Sequence, residues 1–403
     1  MPISEPRARK RRSLSLRASV ILVLVVGGGV GWLGHRVRVR REAVAAITKA
    51  GGNLYYDYQM HGRSPIPGRQ PPVPAWLTRN LGVDAFADVV SVGVNEPYCT
   101  DELMAQIGRL PRVRYLSLRG GSLTDLGASS LRGLTEVEDL ELKSCRITGA
   151  TLRNLTGMRR LSRLQFGSLS TIEEDLAPLA ELPTLTWLHV TDPLIDDELA
   201  YLAGLKSLRI LNLTGEYITA AGIGHLSGLT NLTTVYLNRT RVASLEPLRA
   251  CTAIDSLGLA GTEIDDRGLA TVAGFRKLKR LGLVDTRVTD LGLRHLTGLN
   301  MLIELDLEGC RISDEGLKSL SAMTRMSTLG LGRTGIGDAG LDRIKHMKQI
   351  TFLFLNDTKV SDAGLAKLTN LASCRQIGLR GTTVTDAGVA ALEARYPTMG
   401  VVR

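Results

Sequence analysis

The stretch TRVTDLGLRHL, residues 286–296, decides the fold because close variants of it return at a fixed interval. CRISDEGLKSL begins at residue 310, TGIGDAGLDRI at 334, TKVSDAGLAKL at 358 and TTVTDAGVAAL at 382. Each copy therefore starts 24 residues after the one before it. A fixed period of this length indicates a solenoid, in which each unit buries its apolar face only by stacking on its neighbours.

The period extends outward from this stretch and defines thirteen units. Every step between units is 24 residues, except one of 23 after residue 185 and one of 22 after residue 232. The first apolar positions of the units are residues 89, 113, 137, 161, 185, 208, 232, 254, 278, 302, 326, 350 and 374. We therefore expect a single repeat domain from residue 89 to residue 403, closed by a C-terminal cap.

Each unit contains two kinds of apolar spacing. The alternation of Leu281 and Leu283 predicts a short strand with its leucines on one face. Leu293, Leu296 and Leu299 follow at spacings of three, which predicts a helix of two to three turns. Strand and helix in every unit predict an α/β solenoid, curved, with a parallel sheet on the concave face and short helices on the convex face.

The recurring Asp and Gly have structural explanations. Thr289 is placed to cap the helix, and Asp290 lies in the first turn, near the positive end of the helix dipole. Glycine costs about 1 kcal/mol relative to alanine inside a helix, so its recurrence at Gly292 and equivalent positions predicts crowding between neighbouring coils. Calcium needs several oxygen ligands per ion, whereas each unit supplies one carboxylate. We interpret the pattern as structural.

The repeats resemble leucine-rich repeats of the ribonuclease-inhibitor and cysteine-containing subtypes. The segments RSLSLR, AVAAITKAGGNLYYDYQ and PAWLTRNLGVDAFADVVSV, together with the repeats, are similar to a family of bacterial membrane-anchored leucine-rich-repeat proteins. This resemblance covers nearly the whole chain and implies a binding scaffold without a particular activity. Repeats 2–6 depart from the pattern, since Gly149, Ala220 and Ser244 replace the recurring Asp.

The positive charge of the chain is concentrated at its N-terminus. Residues 1–50 hold 11 of the 50 Lys and Arg but only two of the 40 acidic residues, so nine of the ten net positive charges lie there. The rest of the chain is nearly neutral, which argues against a nucleic-acid-binding domain. We therefore expect no nucleic-acid partner.

An uncharged run, ASVILVLVVGGGVGWLG, follows a basic tail at residues 1–17. This run, residues 18–34, predicts a transmembrane helix that anchors the chain in a membrane, with Trp32 at the interface. A cleaved signal peptide fits less well, because the small residues at 43–45 lie beyond several arginines. The basic tail favours a single-pass orientation with the repeats outside the cytoplasm. The spacing of Gly27 and Gly31 suggests that two anchor helices could pack closely and form a weak homodimer. Residues 35–88 are expected to form a linker and an N-terminal cap.

No motif indicates catalysis or a cofactor. GVGWLG at residues 29–34 matches a dinucleotide-binding pattern, but no strand precedes it. The sequence contains no nucleophile–base–acid constellation or phosphate loop, so we expect a non-enzyme without cofactor or metal. The cysteines occupy apolar positions, which predicts buried free thiols at Cys99, Cys145, Cys251, Cys310 and Cys374.

The function is then expected on the concave face, where large side chains cluster in the units that break the period. Exposed aromatic and aliphatic groups of this kind are typical of a protein or peptide interface. The predicted partner-binding residues are Trp187, His189, Ile210, Asn212, Tyr236 and Asn238. The alternative is a structural or glycan-binding protein of the cell envelope. Phe352 and Phe354 are further aromatic positions on this face, which could instead cover the end of the solenoid.

Overall fold

The computed structural model describes residues 16–167, 176–191, 193–369 and 371–403, and of residues 16–28 and 30 only the backbone. Within these residues the chain forms one 15-stranded sheet whose strands follow each other in chain order. Every pairing is parallel except that between the first two strands. The predicted solenoid with a many-stranded parallel sheet is confirmed.

The strands of the sheet are short because each spans only one coil. They are Asn53–Tyr56, Val89–Val94, Tyr115–Arg119, Asp139–Lys143, Arg163–Gly167, Trp187–Val190, Ile210–Leu213, Thr234–Tyr236, Ser256–Gly258, Arg280–Gly282, Glu304–Asp306, Thr328–Gly330, Phe352–Phe354, Gln376–Gly378 and Gly400–Val402. A small antiparallel hairpin joins Met60–His61 to Ser64–Pro65.

The segments opposite the sheet mix α-helix with 3-10 helix, where the sequence predicts regular helix. A 3-10 helix rises about 2.0 Å per residue against about 1.5 Å for an α-helix, so fewer residues span the back of a coil. The α-helices are Leu16–Lys49, Ala75–Leu81, Asp101–Ile107, Asp125–Ala128, Gly149–Leu152, Ala220–Gly224, Asp290–Leu293, Asp338–Ile344, Asp362–Lys367 and Asp386–Arg395. The 3-10 helices are Asp57–Gln59, Val83–Ala85, Ser129–Gly133, Arg153–Leu155, Ala177–Glu181, Asp196–Leu202, Glu246–Leu248, Gly268–Gly274, Arg294–Leu296 and Gly316–Leu320.

The core lies between sheet and helices and is continuous along the solenoid. Leu283, Leu293 and Leu296 are fully buried, as their spacing predicts. In several coils a threonine side chain bonds to the end of the strand, as where the hydroxyl of Thr286 donates to the carbonyl of Leu283 at 2.8 Å. Equivalent bonds recur at Thr240, Thr262, Thr334, Thr358 and Thr382. All five cysteines are buried free thiols, as predicted.

A carboxylate joins each regular coil to the next. Asp290 Oδ1 accepts from the backbone N–H of Ser313 at 2.8 Å, and its Oδ2 accepts from the Ser313 hydroxyl. Ser313 is equivalent to Thr289, the N-cap residue of Asp290–Leu293 one coil earlier. We call the contact between the carboxylate and this position of the following coil the latch. The same backbone contact joins Asp101 to Thr124, Asp125 to Thr148, Asp196 to Thr219, Asp266 to Thr289, Asp314 to Gly337, Asp338 to Ser361 and Asp362 to Thr385. Gly337 has no hydroxyl and makes the backbone bond alone.

Extra strands close both ends of the sheet. Asn53–Tyr56 pairs antiparallel with Val89–Val94, and Gly400–Val402 pairs with Gln376–Gly378. Such strands cover edges that would otherwise expose unpaired backbone groups. At the N-terminal end, the helix Leu16–Lys49 packs Ala43 and Ile47 into the core.

The predicted membrane anchor is wrong. Among the residues described, no helix combines the length and the apolar character needed to cross a bilayer. The helix does not end at residue 34 but continues to Lys49. Within this continuation, Arg36 and Arg40 form ion pairs with Asp88, which directly precedes the strand Val89–Val94. The single-pass membrane location and the membrane contact of residues 18–34 are overturned with it.

Two further sequence predictions concern this segment. Most of the basic tail, residues 1–15, lies outside the described residues. The homodimer contact at Gly27 and Gly31 was expected of an anchor inside a bilayer. It therefore loses its basis together with the anchor.

Candidate functional site

The side of the sheet opposite the core, here the sheet face, carries two rows of side chains. The rows are continuous because the register of the parallel strands does not slip. One row contains Tyr115, Asp139, Arg163, Trp187, Ile210, Thr234 and Ser256. The other contains Ser117, Glu141, Gln165, His189, Asn212, Tyr236 and Gly258.

Trp187 is held in place by its neighbours. The guanidinium of Arg163 lies over the indole, with 4.1 Å from Cζ to the ring centroid. His189 meets the same ring edge-on, at 5.8 Å between centroids. Trp187 remains half-buried on the sheet face. Cation–π and edge-to-face contacts of this kind preorganise a large apolar surface while leaving part of it available.

The His189 imidazole is half-buried and hydrogen-bonded on the sheet face. Burial lowers the pKa of its imidazole below the ordinary value, and the nearby Lys143 acts in the same direction. The ring Nδ1 lies 2.8 Å from the side-chain nitrogen of Gln165. Since the amide nitrogen is a donor, Nδ1 accepts and Nε2 carries the proton.

Ile210 and Asn212 lie on the strand next to Trp187 and His189, directly opposite them in register. Both are half-buried on the sheet face. The structure therefore brings four of the six predicted residues, Trp187, His189, Ile210 and Asn212, into one patch. We call this set the Trp187 patch.

Tyr236 does not join the Trp187 patch. A Cβ built on Gly258, on the next strand, would overlap the Tyr236 ring, so the ring lies across that glycine. The Tyr236 hydroxyl lies 3.3 Å from the hydroxyl of the buried Ser256. Trp187 is in contact with Arg163 and His189, whereas Tyr236 lies over Gly258 on the far side of its own strand.

Asn238 has a structural contact. Its side-chain oxygen accepts from the backbone N–H of Ala260 in the next coil at 2.9 Å. Asn356 makes the same bond to Arg380 at 3.0 Å. The pattern of an Asn after the strand therefore marks a bond between coils, which weakens Asn238 as a contact residue. Phe352 and Phe354 are half-buried and are followed by two more strands, so they do not form the end of the sheet.

The N-terminal half of the sheet face is strongly ion-paired. Asp139 Oδ2 lies 3.3 Å from Nε of both Arg63 and Arg163. Burial raises the pKa of Asp139 above its ordinary value, against the opposing effect of these two arginines.

Glu141 lies beside Asp139 in the second row. Its carboxylate accepts from Arg119 and Ser117, each at 2.8 Å, and lies 3.2 Å from Lys143 Nζ. Burial opposes ionisation of Glu141, but these donors outweigh it and hold the pKa below its ordinary value. Each carboxylate of this region is therefore matched by two cations.

Sequence analysis missed the contribution of the N-terminal cap to this face. Arg63 lies in the turn of the hairpin Met60–His61 and Ser64–Pro65 and reaches Asp139 on the sheet. Tyr55 lies on the added first strand, next to Ser91. Neither residue belongs to a repeat, so the 24-residue period carries no signal for them. Among the described residues, no group of three or more His, Cys, Asp or Glu side chains could hold a metal ion.

Comparison with known proteins identifies the repeat type. A family model described as a leucine-rich repeat matches residues 298–321. The repeats are leucine-rich repeats. No curated protein matches the chain significantly.

Two solved structures show the same fold. An internalin (inlF) from Listeria monocytogenes aligns with a TM-score of 0.61 at 23% sequence identity, over 79% of this chain and 90% of that one. A leucine-rich-repeat protein from Leptospira interrogans aligns with a TM-score of 0.52 at 16% identity, over 83% of this chain and 93% of that one. At these identities the likeness concerns the fold alone. The leucine-rich-repeat resemblance is confirmed, whereas the comparisons give no support to the narrower membrane-anchored family.

Proposed function

We propose that this leucine-rich-repeat protein is a non-catalytic scaffold that binds a protein or peptide partner on its sheet face. The observation that supports this most strongly is the Trp187 patch. It combines a large aromatic ring, an aliphatic side chain and two polar groups on the sixth and seventh of the 15 strands, close to the centre of the sheet. Hot spots of protein interfaces have this composition and are enriched in tryptophan.

The preorganisation of Trp187 supports the same conclusion. Arg163 and His189 fix the indole in the unbound protein, so a partner does not have to order it. Immobilising a flexible side chain on binding costs about 0.5–1.5 kcal/mol, and a side chain that is already held avoids most of that cost. The later coils from Ser256–Gly258 to Thr328–Gly330 show Gly, Ser, Thr and charged residues in the same rows, which provide little apolar area.

A photo-crosslinking experiment tests this function. A benzophenone-bearing amino acid is introduced in place of Asn212, inside the Trp187 patch, in the full chain expressed in its native cells. The matched control carries the same group in place of Leu291, which is 56% exposed on the helix side of the solenoid. We expect a discrete partner adduct from position 212 and none from position 291. Identical adducts from both positions, or none from position 212, would contradict the proposal.

A further inference from the structure

A recess opens at the N-terminal end of the sheet face, apart from the Trp187 patch. It has a volume of about 230 Å³. This is below the range of about 300–1,000 Å³ typical of pockets for drug-sized ligands, so the recess suits a ligand of a single ring. The lining residues on which the argument rests are Asn53, Tyr55, Tyr115, Ser117, Asp139 and Glu141.

Two tyrosines form opposite walls of the recess. Tyr55 and Tyr115 lie in register with Ser91, one on each side of it. Neighbouring strands are about 4.8 Å apart, so the two tyrosine positions are separated by about 10 Å. A small side chain at Ser91 leaves the space between them free. Van der Waals contact with carbon atoms requires about 3.5–4.0 Å on each side, so one ring fits between these walls.

Both carboxylates of the recess are already ion-paired. Asp139 is paired with Arg63 and Arg163, and Glu141 with Arg119 and Lys143. A cationic ligand would compete with these arginines, and an anionic ligand would meet the two carboxylates. Each carboxylate still has oxygen lone pairs beyond those used in ion pairs, since an ionised carboxylate offers about four acceptor sites. A neutral ligand rich in hydroxyl groups satisfies them.

We propose that this recess binds a single neutral sugar ring. A pyranose has apolar C–H faces that pack on aromatic walls, and hydroxyls at its edge that donate to carboxylate and hydroxyl oxygens and accept from an amide N–H. The recess provides both, with Tyr55 and Tyr115 as walls and Asn53, Ser117 and Glu141 along the second row. This site is independent of the protein-binding function assigned to the Trp187 patch.

Gly93 allows the recess to be filled without disturbing the fold. It lies between Asn53 and Ser117 in the second row, and a Cβ built on it would have no atom within 4 Å. Gly93→Val therefore places a strand-compatible side chain in empty space. Gly282 occupies the same row far along the sheet, and a Cβ there would lie 3.9 Å from the Cα of Gly258, an ordinary contact. Gly282→Val is the matched control.

Saturation-transfer NMR with glucose, galactose, mannose and N-acetylglucosamine tests the proposal on the full chain. We expect saturable binding of at least one sugar with a Kd in the millimolar range, about −4 kcal/mol. Gly93→Val should weaken it at least ten-fold, while Gly282→Val leaves it unchanged. Tyr115→Ala, which removes one wall, should also weaken it at least ten-fold and gives a second test if Gly93→Val unfolds.

Three results would overturn the sugar site. They are absence of saturable binding to all four sugars, wild-type affinity in both Gly93→Val and Tyr115→Ala, and equal loss in Gly282→Val. None of them affects the crosslink from position 212. Conversely, a failed crosslink leaves the sugar measurement intact, so the two proposals succeed or fail separately.

Discussion

A Cβ added to Gly316 would overlap the carboxylate of Asp290 in the preceding coil. The same relationship links Gly292 to Asp266, Gly340 to Asp314, Gly364 to Asp338 and Gly388 to Asp362. The recurring glycine is therefore required by the recurring aspartate, which needs that space to bind the N-cap of the next coil. The predicted crowding between coils is confirmed, and its cause is the latch.

One coil shows how the chain manages without the glycine. Thr151 occupies the position equivalent to Gly316, and its hydroxyl donates to Asp125, the carboxylate of the preceding latch. A side chain is thus accepted at this position when it gives the carboxylate a hydrogen bond. The side chains of valine and threonine have the same shape, but only threonine has a hydroxyl. Comparing Gly316→Val with Gly316→Thr therefore separates the need for a hydrogen bond from simple crowding.

We predict that Gly316→Val lowers the free energy of unfolding by about 1–3 kcal/mol, since overpacking a tight site has costs of this size. Gly316→Thr should lower it less, because its hydroxyl can bond to Asp290 as Thr151 does to Asp125. Urea unfolding measures both. Gly274→Ala is the control, since a Cβ there meets no atom within 4 Å. Equal destabilisation by Val and Thr would show that the hydroxyl does not matter.

Acid should weaken the latches. Burial opposes ionisation of Asp125, but hydrogen bonds from Thr151 and Thr148 outweigh it and lower the pKa of this carboxyl. A carboxyl with a depressed pKa stabilises the fold above its unfolded value of about 3.9, and this stability is lost as the pH falls through the folded value. We predict that Asp125→Asn flattens the fall in the urea midpoint below about pH 4. If the urea midpoint of Asp125→Asn falls with acid as steeply as that of the wild type, Asp125 does not contribute to the acid sensitivity of the fold.

Partner binding should depend on one of the two central aromatic rings. Trp187→Ala is expected to weaken capture of the partner crosslinked at position 212 about ten-fold, or about 1.4 kcal/mol. Tyr236→Phe should have no effect, because the ring leans over Gly258 and away from the patch. Competition binding with purified partner measures both affinities. If the paired substitution Phe352→Ala and Phe354→Ala reduces binding instead, the partner occupies the C-terminal part of the sheet face.

The two successive coil interfaces at which Ala220 and Ser244 stand in place of the aspartate should open before the others. Ala220 and Ser244 replace the latch aspartate there, and a Cβ on Gly268 would meet the carbonyl of Ala243 where other coils place a carboxylate. Hydrogen bonds to charged groups contribute about 1.5–3 kcal/mol each, so these interfaces lack a substantial contribution. We predict faster amide hydrogen exchange in residues 243–265 than in residues 290–313. Uniform exchange along residues 196–385 would contradict this.

The sequence was most informative where the chain repeats. Leucine spacing in 281–299 predicts both the strand and the buried side of the helical segment, because every coil faces the same neighbours. The N-cap role of Thr289 also follows, and its hydroxyl accepts from the N–H of Leu291 at 3.3 Å. The aspartate was given a role within its own helix, because a contact to the next coil depends on how coils stack.

The sequence was least informative about side-chain direction and about the N-terminal segment. Trp187 and Tyr236 lie two strands apart as expected, but the direction of each ring depends on its neighbours, Arg163 and Gly258. The uncharged run at 18–34 suggested a helix that ends at a membrane boundary. The helix instead continues to Lys49, since its later residues find partners such as Asp88. Apolar composition alone does not show where a helix ends.

The latch also constrains how such a chain can change length over evolution. Its two halves lie at equivalent positions of consecutive coils, so an acceptor Asp and an N-cap donor belong to every copy of the regular unit. In residues 266–385, a gene duplication of one 24-residue unit would insert a coil that binds both neighbours from the start. A duplication within residues 220–265 would instead copy an interface without the carboxylate. Growth and loss of whole units should therefore be tolerated best in the C-terminal half of the solenoid.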